Sequence, residues 1–83
     1  MDSKQVLLAI ADALRSRYAN NNFEITSTDE EVLIKGVSEE MKANFTTEVT
    51  GLISEMANSY SFDAASFAVT QLGTDISIKS TNS

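Results

Sequence analysis

Twice along this 83-residue chain the apolar pattern changes period, from the 3.6-residue repeat of a helix to the two-residue repeat of a strand. The first helical stripe runs through Leu7, Ile10, Ala11, Leu14 and Tyr18, with Asp2 or Ser3 placed to cap it. Ala19-Asn20-Asn21-Asn22 should end that helix, because Asn tolerates the left-handed conformation that a helix exit often needs. Phe23 and Ile25 then alternate with Glu24 and Thr26. Beyond a polar tip, Ser27-Thr28-Asp29-Glu30, Val32 and Ile34 share a face opposite Leu33 and Lys35, which is a hairpin pattern. Ser38 is a strong cap for a second helix, with Glu39 and Glu40 in the first turn, where the helix dipole favours acids. Its stripe is Met41, Phe45, Val49, Leu52, Met56 and Tyr60, with Ile53 on the flank. Ser61 to Ala65 connects to a second hairpin, whose inward residues are Phe67, Val69, Ile76 and Ile78 around a tip containing Gly73. The tail Ser80-Thr81-Asn82-Ser83 should fray.

The two hairpins match without a gap. Phe23–Gly36 reads FEITSTDEEVLIKG and Phe67–Ser80 reads FAVTQLGTDISIKS, 44 positions later. Phe23/Phe67, Thr26/Thr70, Ile34/Ile78 and Lys35/Lys79 are identical; Ile25/Val69, Glu31/Asp75 and Val32/Ile76 are close substitutes. With a small change of offset the helices follow, pairing Tyr18/Tyr60, Leu14/Met56, Ile10/Leu52 and Leu7/Val49. The chain reads as a single domain over residues 1–83, with an internal repeat of about 3–36 and 38–80. One helix and one hairpin bury too little to stand alone. Packing both helices on one face of a joined four-stranded antiparallel sheet solves this, as an α+β two-layer sandwich of order αββαββ. Right-handed crossovers favour a circularly permuted ferredoxin-like topology.

Composition narrows the chemistry. The chain has no histidine and no cysteine, which removes the usual neutral-pH general base, the commonest metal ligands and the thiolate nucleophile. Its three glycines are isolated, so there is no phosphate-cradling loop. No serine lies in a nucleophile-elbow context. The acidic run Asp29-Glu30-Glu31 lacks the alternating ligand spacing and central glycine of a calcium loop, and reads as a solvated hairpin tip. We therefore expect no enzyme, no cofactor and no metal site. Six basic residues against twelve acids give a net charge of -6, which disfavours nucleic-acid binding and anionic membranes. The phenylalanines all belong to the core pattern, leaving no aromatic platform for single strands. No segment approaches the length of an apolar membrane span and the N-terminus is not a signal peptide, so a cytoplasmic location is expected.

What stands out is the back of the second helix. Ala43, Thr47, Thr50, Gly51, Ser54 and Asn58 are all small and uncharged. A solvated helix face usually carries Lys, Glu, Arg or Gln, which favour both helix and water. Small residues let another backbone approach closely and lose little rotamer entropy when covered. These six are the candidate partner interface. The function expected is that of a non-catalytic, small acidic protein-interaction module, self-associating or binding a protein partner in an inhibitor, assembly or chaperone-like role. Small viral and bacterial proteins of this size and charge include such modules. The alternative is an acidic nucleic-acid mimic that blocks a DNA- or RNA-binding protein.

Overall fold

The computed structural model describes residues 2–21 and 23–81. In order, the elements are α1 (Ser3–Arg17), β1 (Glu24–Ser27), β2 (Glu31–Lys35), α2 (Glu39–Tyr60), β3 (Phe67–Leu72) and β4 (Asp75–Ser80), with a 3-10 turn at Ala64–Ser66 before β3. Both helix starts follow from their caps. The Asp2 carboxylate accepts from the Gln5 N–H at 2.9 Å and the Gln5 side chain accepts from the Asp2 N–H at 3.2 Å, a reciprocal capping box. Ser38 Oγ accepts from the Met41 N–H at 3.3 Å.

The helix exits differ from expectation. Asn22 lies outside the described residues, and neither Asn20 nor Asn21 has a positive φ. Instead α1 closes at Tyr18, whose N–H donates to the Leu14 carbonyl at 2.9 Å. The left-handed exit belongs to α2, at Ser61 with φ 60°. At the other end of the chain Asn82 and Ser83 lie outside the described residues, while Ser80 is not part of a frayed tail. It closes β4, and the Thr81 N–H beyond it donates to the Ser66 carbonyl at 2.7 Å.

The four strands form one antiparallel sheet in the order β1-β2-β4-β3, the strand order of the permuted ferredoxin-like arrangement. Its pairing carries the 44-residue offset seen in the sequence. Ile25 lies opposite Ile34 in the first hairpin, and Val69 lies opposite Ile78 in the second. Ser27 faces Val32 just as Gln71 faces Ile76. In the central pair Leu33 faces Ser77, its own counterpart 44 positions on, so a local pseudo-twofold axis of the strand pairing passes through that point. Val32↔Ile78 and Ile34↔Ile76 are then equivalent contacts on either side of it. The shared charges gain a physical reason. Glu31 stands opposite Lys79, with 4.0 Å between carboxylate and ammonium, so an acidic position common to the two hairpin sequences meets a lysine position common to them. Ser77, buried two residues before Lys79 on the outer face, donates to Glu31 Oε2 at 2.8 Å.

Both helices cover the inner face of the sheet. The core joins Val6, Leu7, Ile10, Ala11 and Leu14 of α1 to Val32, Ile34, Ile76 and Ile78 of the central strands, and to Phe45, Val49, Ile53 and Met56 of α2. Phe23, in half-buried contact with this core, packs on Phe45, and Phe45 on Tyr18, at 4.9 and 4.8 Å between ring centres. Phe67, the counterpart of Phe23, meets Phe62 edge-on at 5.5 Å.

Two residues of the α2 stripe do not reach the core: Met41 is 40% exposed and Tyr60 48%. The reason is length. At 22 residues α2 runs about 33 Å by its helical rise, whereas the strands beneath it are five or six residues, about 17–20 Å. Its first and last turns overhang the sheet. Ile53, placed on the flank by the stripe, is buried instead, and Leu52 is half-buried.

Candidate functional site

All six small residues singled out on α2, Ala43, Thr47, Thr50, Gly51, Ser54 and Asn58, are exposed. Their spacing places them on one continuous ridge opposite the buried stripe. Nothing lies within 4 Å of a Cβ built at Gly51, so no internal packing requires a glycine there. The threonine hydroxyls are turned inward onto the helix itself: Thr47 Oγ1 donates to the Ala43 carbonyl at 3.1 Å and Thr50 Oγ1 to the Thr46 carbonyl at 2.8 Å. The hydroxyls of these two threonines are thereby engaged within the helix, while Ser54 and Asn58 keep their polar groups at the exposed surface.

One side of this ridge stands above β3. Gln71 Nε2 donates to Thr46 Oγ1 at 3.0 Å, tying the end of β3 to the first half of α2. Helical spacing puts Ala43, Thr50 and Ser54 on that side, while Gly51 and Asn58 lie along the outer crest.

Beneath the ridge is an edge of the sheet that the sequence reading did not single out. β1 and β3 are the two edge strands. The Thr28 N–H donates to the Glu31 carbonyl at 2.8 Å, which sets the alternation of the first hairpin, so the backbone groups of Ile25 and Ser27 point away from β2. Thr81 N–H to the Ser66 carbonyl sets the same alternation in the second hairpin, and the backbone groups of Val69 and Gln71 point away from β4. At β1 the Arg15 guanidinium donates to the Ile25 carbonyl at 3.2 Å. At β3 the Phe67 N–H is taken by the Ala64 carbonyl. Among the described residues no group hydrogen-bonds the outward backbone of Val69 or Gln71. A signal for this was present in the sequence: FAVTQL, the whole of β3, contains no charge and no proline.

The acids gather elsewhere. Asp29, Glu30 and Glu31 border a shallow cavity of about 500 Å³ with Ser3, Thr28, Lys79 and Ser80. Lys4 reaches Asp29 at 3.5 Å, and Thr28 Oγ1 accepts from the N–H groups of Glu30 and Glu31 at 3.2 and 3.1 Å, organising the tip from within. Among the described residues no three acids converge as metal ligands would. Tyr18, at the end of α1, stands against Phe23 and Phe45. Burial, then the nearby Glu48 carboxylate, raises its pKa above the ordinary tyrosine value. Its hydroxyl is buried without a well-formed hydrogen bond, Glu48 included. No helix among the described residues is long and apolar enough to cross a membrane.

Comparison of the chain with protein-family models, with curated proteins and with solved structures finds no match.

Proposed function

We propose that this protein is a non-catalytic interaction module that works by presenting the uncharged flank of α2 to a protein surface, its own or another's. The observation that supports this most is the ridge itself. In a chain of net charge -6, this exposed face of a 22-residue helix, beyond Glu40 in its first turn, carries no charge through Ala43, Thr47, Thr50, Gly51, Ser54 and Asn58. Solvation alone does not favour such a composition, since Thr and Ser have lower helix propensity than the Lys, Glu, Arg or Gln usual on a solvated face. Covering by another backbone does.

The test is Thr50→Lys and Ser54→Lys, which add long charged side chains to the ridge while improving helix propensity. Both variants should fold as the parent does by circular dichroism and should lose association, read as molar mass by light scattering and as retention of a captured protein. Glu30→Lys, at the first hairpin tip, should keep it. The reading fails if both ridge variants fold and retain every association of the parent. It gives way to the acidic-mimic alternative if Glu30→Lys alone abolishes binding in a strongly salt-dependent way.

A further inference from the structure

We infer that the β3 edge pairs antiparallel with the β3 edge of a second copy of this chain, about a twofold axis at Thr70, to make a continuous eight-stranded sheet. This rests on the interaction-module reading and names both the surface and the partner.

The backbone selects the register. Val69 and Gln71 are the residues of β3 whose outward N–H and C=O are both open, since the Phe67 N–H is occupied by the Ala64 carbonyl. Antiparallel pairing with Thr70 opposite the partner's Thr70 places Val69 opposite the partner's Gln71, and Gln71 opposite the partner's Val69. Each of these two pairs exchanges two N–H···O=C bonds, so the outward groups of Val69 and Gln71 are all satisfied by one symmetric arrangement. A register centred on Val69 would instead require the Phe67 carbonyl, beside an N–H already in use. In the Thr70 register, Ala68 meets the partner's Leu72 on the outer face, small against large. That covers Leu72, which is 51% exposed in the single chain.

The helix layer fits the same arrangement. Two helices cover four strands, so each spans two strand spacings, about 10 Å. Extending the sheet across β3 sets the partner's α2 about one helix spacing, 8–10 Å, from this one. Side chains facing that gap must be small, and Ala43, Thr50 and Ser54 are. Charge selects a second copy over a charged partner strand. β3 and the α2 flank above it from Ala43 to Ser54 carry no charge, the Glu39–Lys42 ion pair lying in the first turn before them, so two chains that repel through their acids can meet here without opposing like charges. The β1 edge offers none of this: it is four residues long, bears Glu24 and is covered at Ile25 by Arg15.

Cross-linking tests the register directly, since the chain has no cysteine of its own. Thr70 of the two copies would form a non-hydrogen-bonded pair, with Cα atoms about 4.5 Å apart, within disulfide range. Thr70→Cys should therefore give a covalent dimer under mild oxidation in dilute solution, while Thr26→Cys, its pseudo-symmetric control on β1, should not. The parent should be a dimer by light scattering, Thr70→Lys a folded monomer, and both Thr26→Lys and Gly51→Arg, on the α2 crest, dimers. A parent that is monomeric at every concentration, or a Thr26→Cys that cross-links as readily as Thr70→Cys, overturns the inference. If Thr50→Lys abolishes association while Thr70→Lys and Thr70→Cys leave the parent's behaviour unchanged, the edge pairing is wrong and the α2 reading survives. If no ridge or edge variant changes any association, both are wrong.

Discussion

The two hairpins share a pairing register and differ in what they do with it. Ile25↔Ile34 and Val69↔Ile78 are equivalent contacts, and Leu33 faces its own counterpart, Ser77, at the centre of the sheet. The inner face, where the register matters for burial, is alike in both halves. The free edges are not. β1 is short, carries an acid, and has its Ile25 carbonyl bonded by Arg15; β3 is six residues long, uncharged, and open at Val69 and Gln71. A one-residue slip in a strand would turn every buried side chain to solvent, so the pairing tolerates little change. An edge has no such constraint and is free to be guarded or left available.

The likeness of the inner faces is broken most severely by emptying one of them. Ile34 and Ile78 are both fully buried at equivalent positions of the central strands. Ile34→Ala and Ile78→Ala should each cost about 2–5 kcal/mol, and by similar amounts, read from urea unfolding midpoints. A large effect at one and a negligible effect at the other would show that the shared register does not bring a shared share of the core.

The hairpin tips give a smaller and opposite test. Both are two-residue turns, Asp29-Glu30 and Gly73-Thr74, but they are built differently. Gly73 has φ +61°, and Gly73→Ala should cost about 1 kcal/mol from the strained backbone alone. The first tip has no left-handed residue and relies on Thr28 Oγ1 as acceptor for two N–H groups, so Thr28→Ala should cost roughly 0.5–1 kcal/mol. Equal insensitivity of both tips in thermal unfolding would remove this distinction.

Much of this was legible in the sequence, and for identifiable reasons. Amphipathic period and cap chemistry mark where helices and strands begin, and the ungapped match of Phe23–Gly36 to Phe67–Ser80 carries the register. The exposure of Met41 and Tyr60 was not legible, because a stripe says which side of a helix is apolar and not how far the sheet extends beneath it. The α2 ridge could be read from composition, since its six residues are exposed as their spacing requires. Its neighbour could not. That Thr46 meets Gln71, and that the ridge therefore overlooks the uncharged edge, depends on which strand lies outermost under α2. Periodicity along the chain does not specify that. Nor does it reveal Arg15 reaching Ile25, since a charged residue in the last turn of a helix is expected there for its effect on the helix dipole alone.

The smallest expected effect concerns that guard. Arg15→Ala removes an exposed hydrogen bond to Ile25 and an exposed ion pair with Asp12, both at 3.2 Å, and should lower stability by less than about 1 kcal/mol. A larger loss in chemical unfolding would mean that Arg15 supports the fold and is more than a cover for its edge.

The claim that β3 is the edge that pairs, while β1, guarded at the Ile25 carbonyl, does not, is tested most directly by amide hydrogen exchange as a function of protein concentration. The N–H groups of Ile25 and Ser27 on β1 and of Val69 and Gln71 on β3 all point away from the sheet. Exchange at Val69 and Gln71 should slow markedly as concentration rises, as the two β3 edges pair, while exchange at Ile25 and Ser27 stays constant. Concentration-independent exchange at all four, or protection that grows at Ile25 and Ser27 instead, would contradict the account.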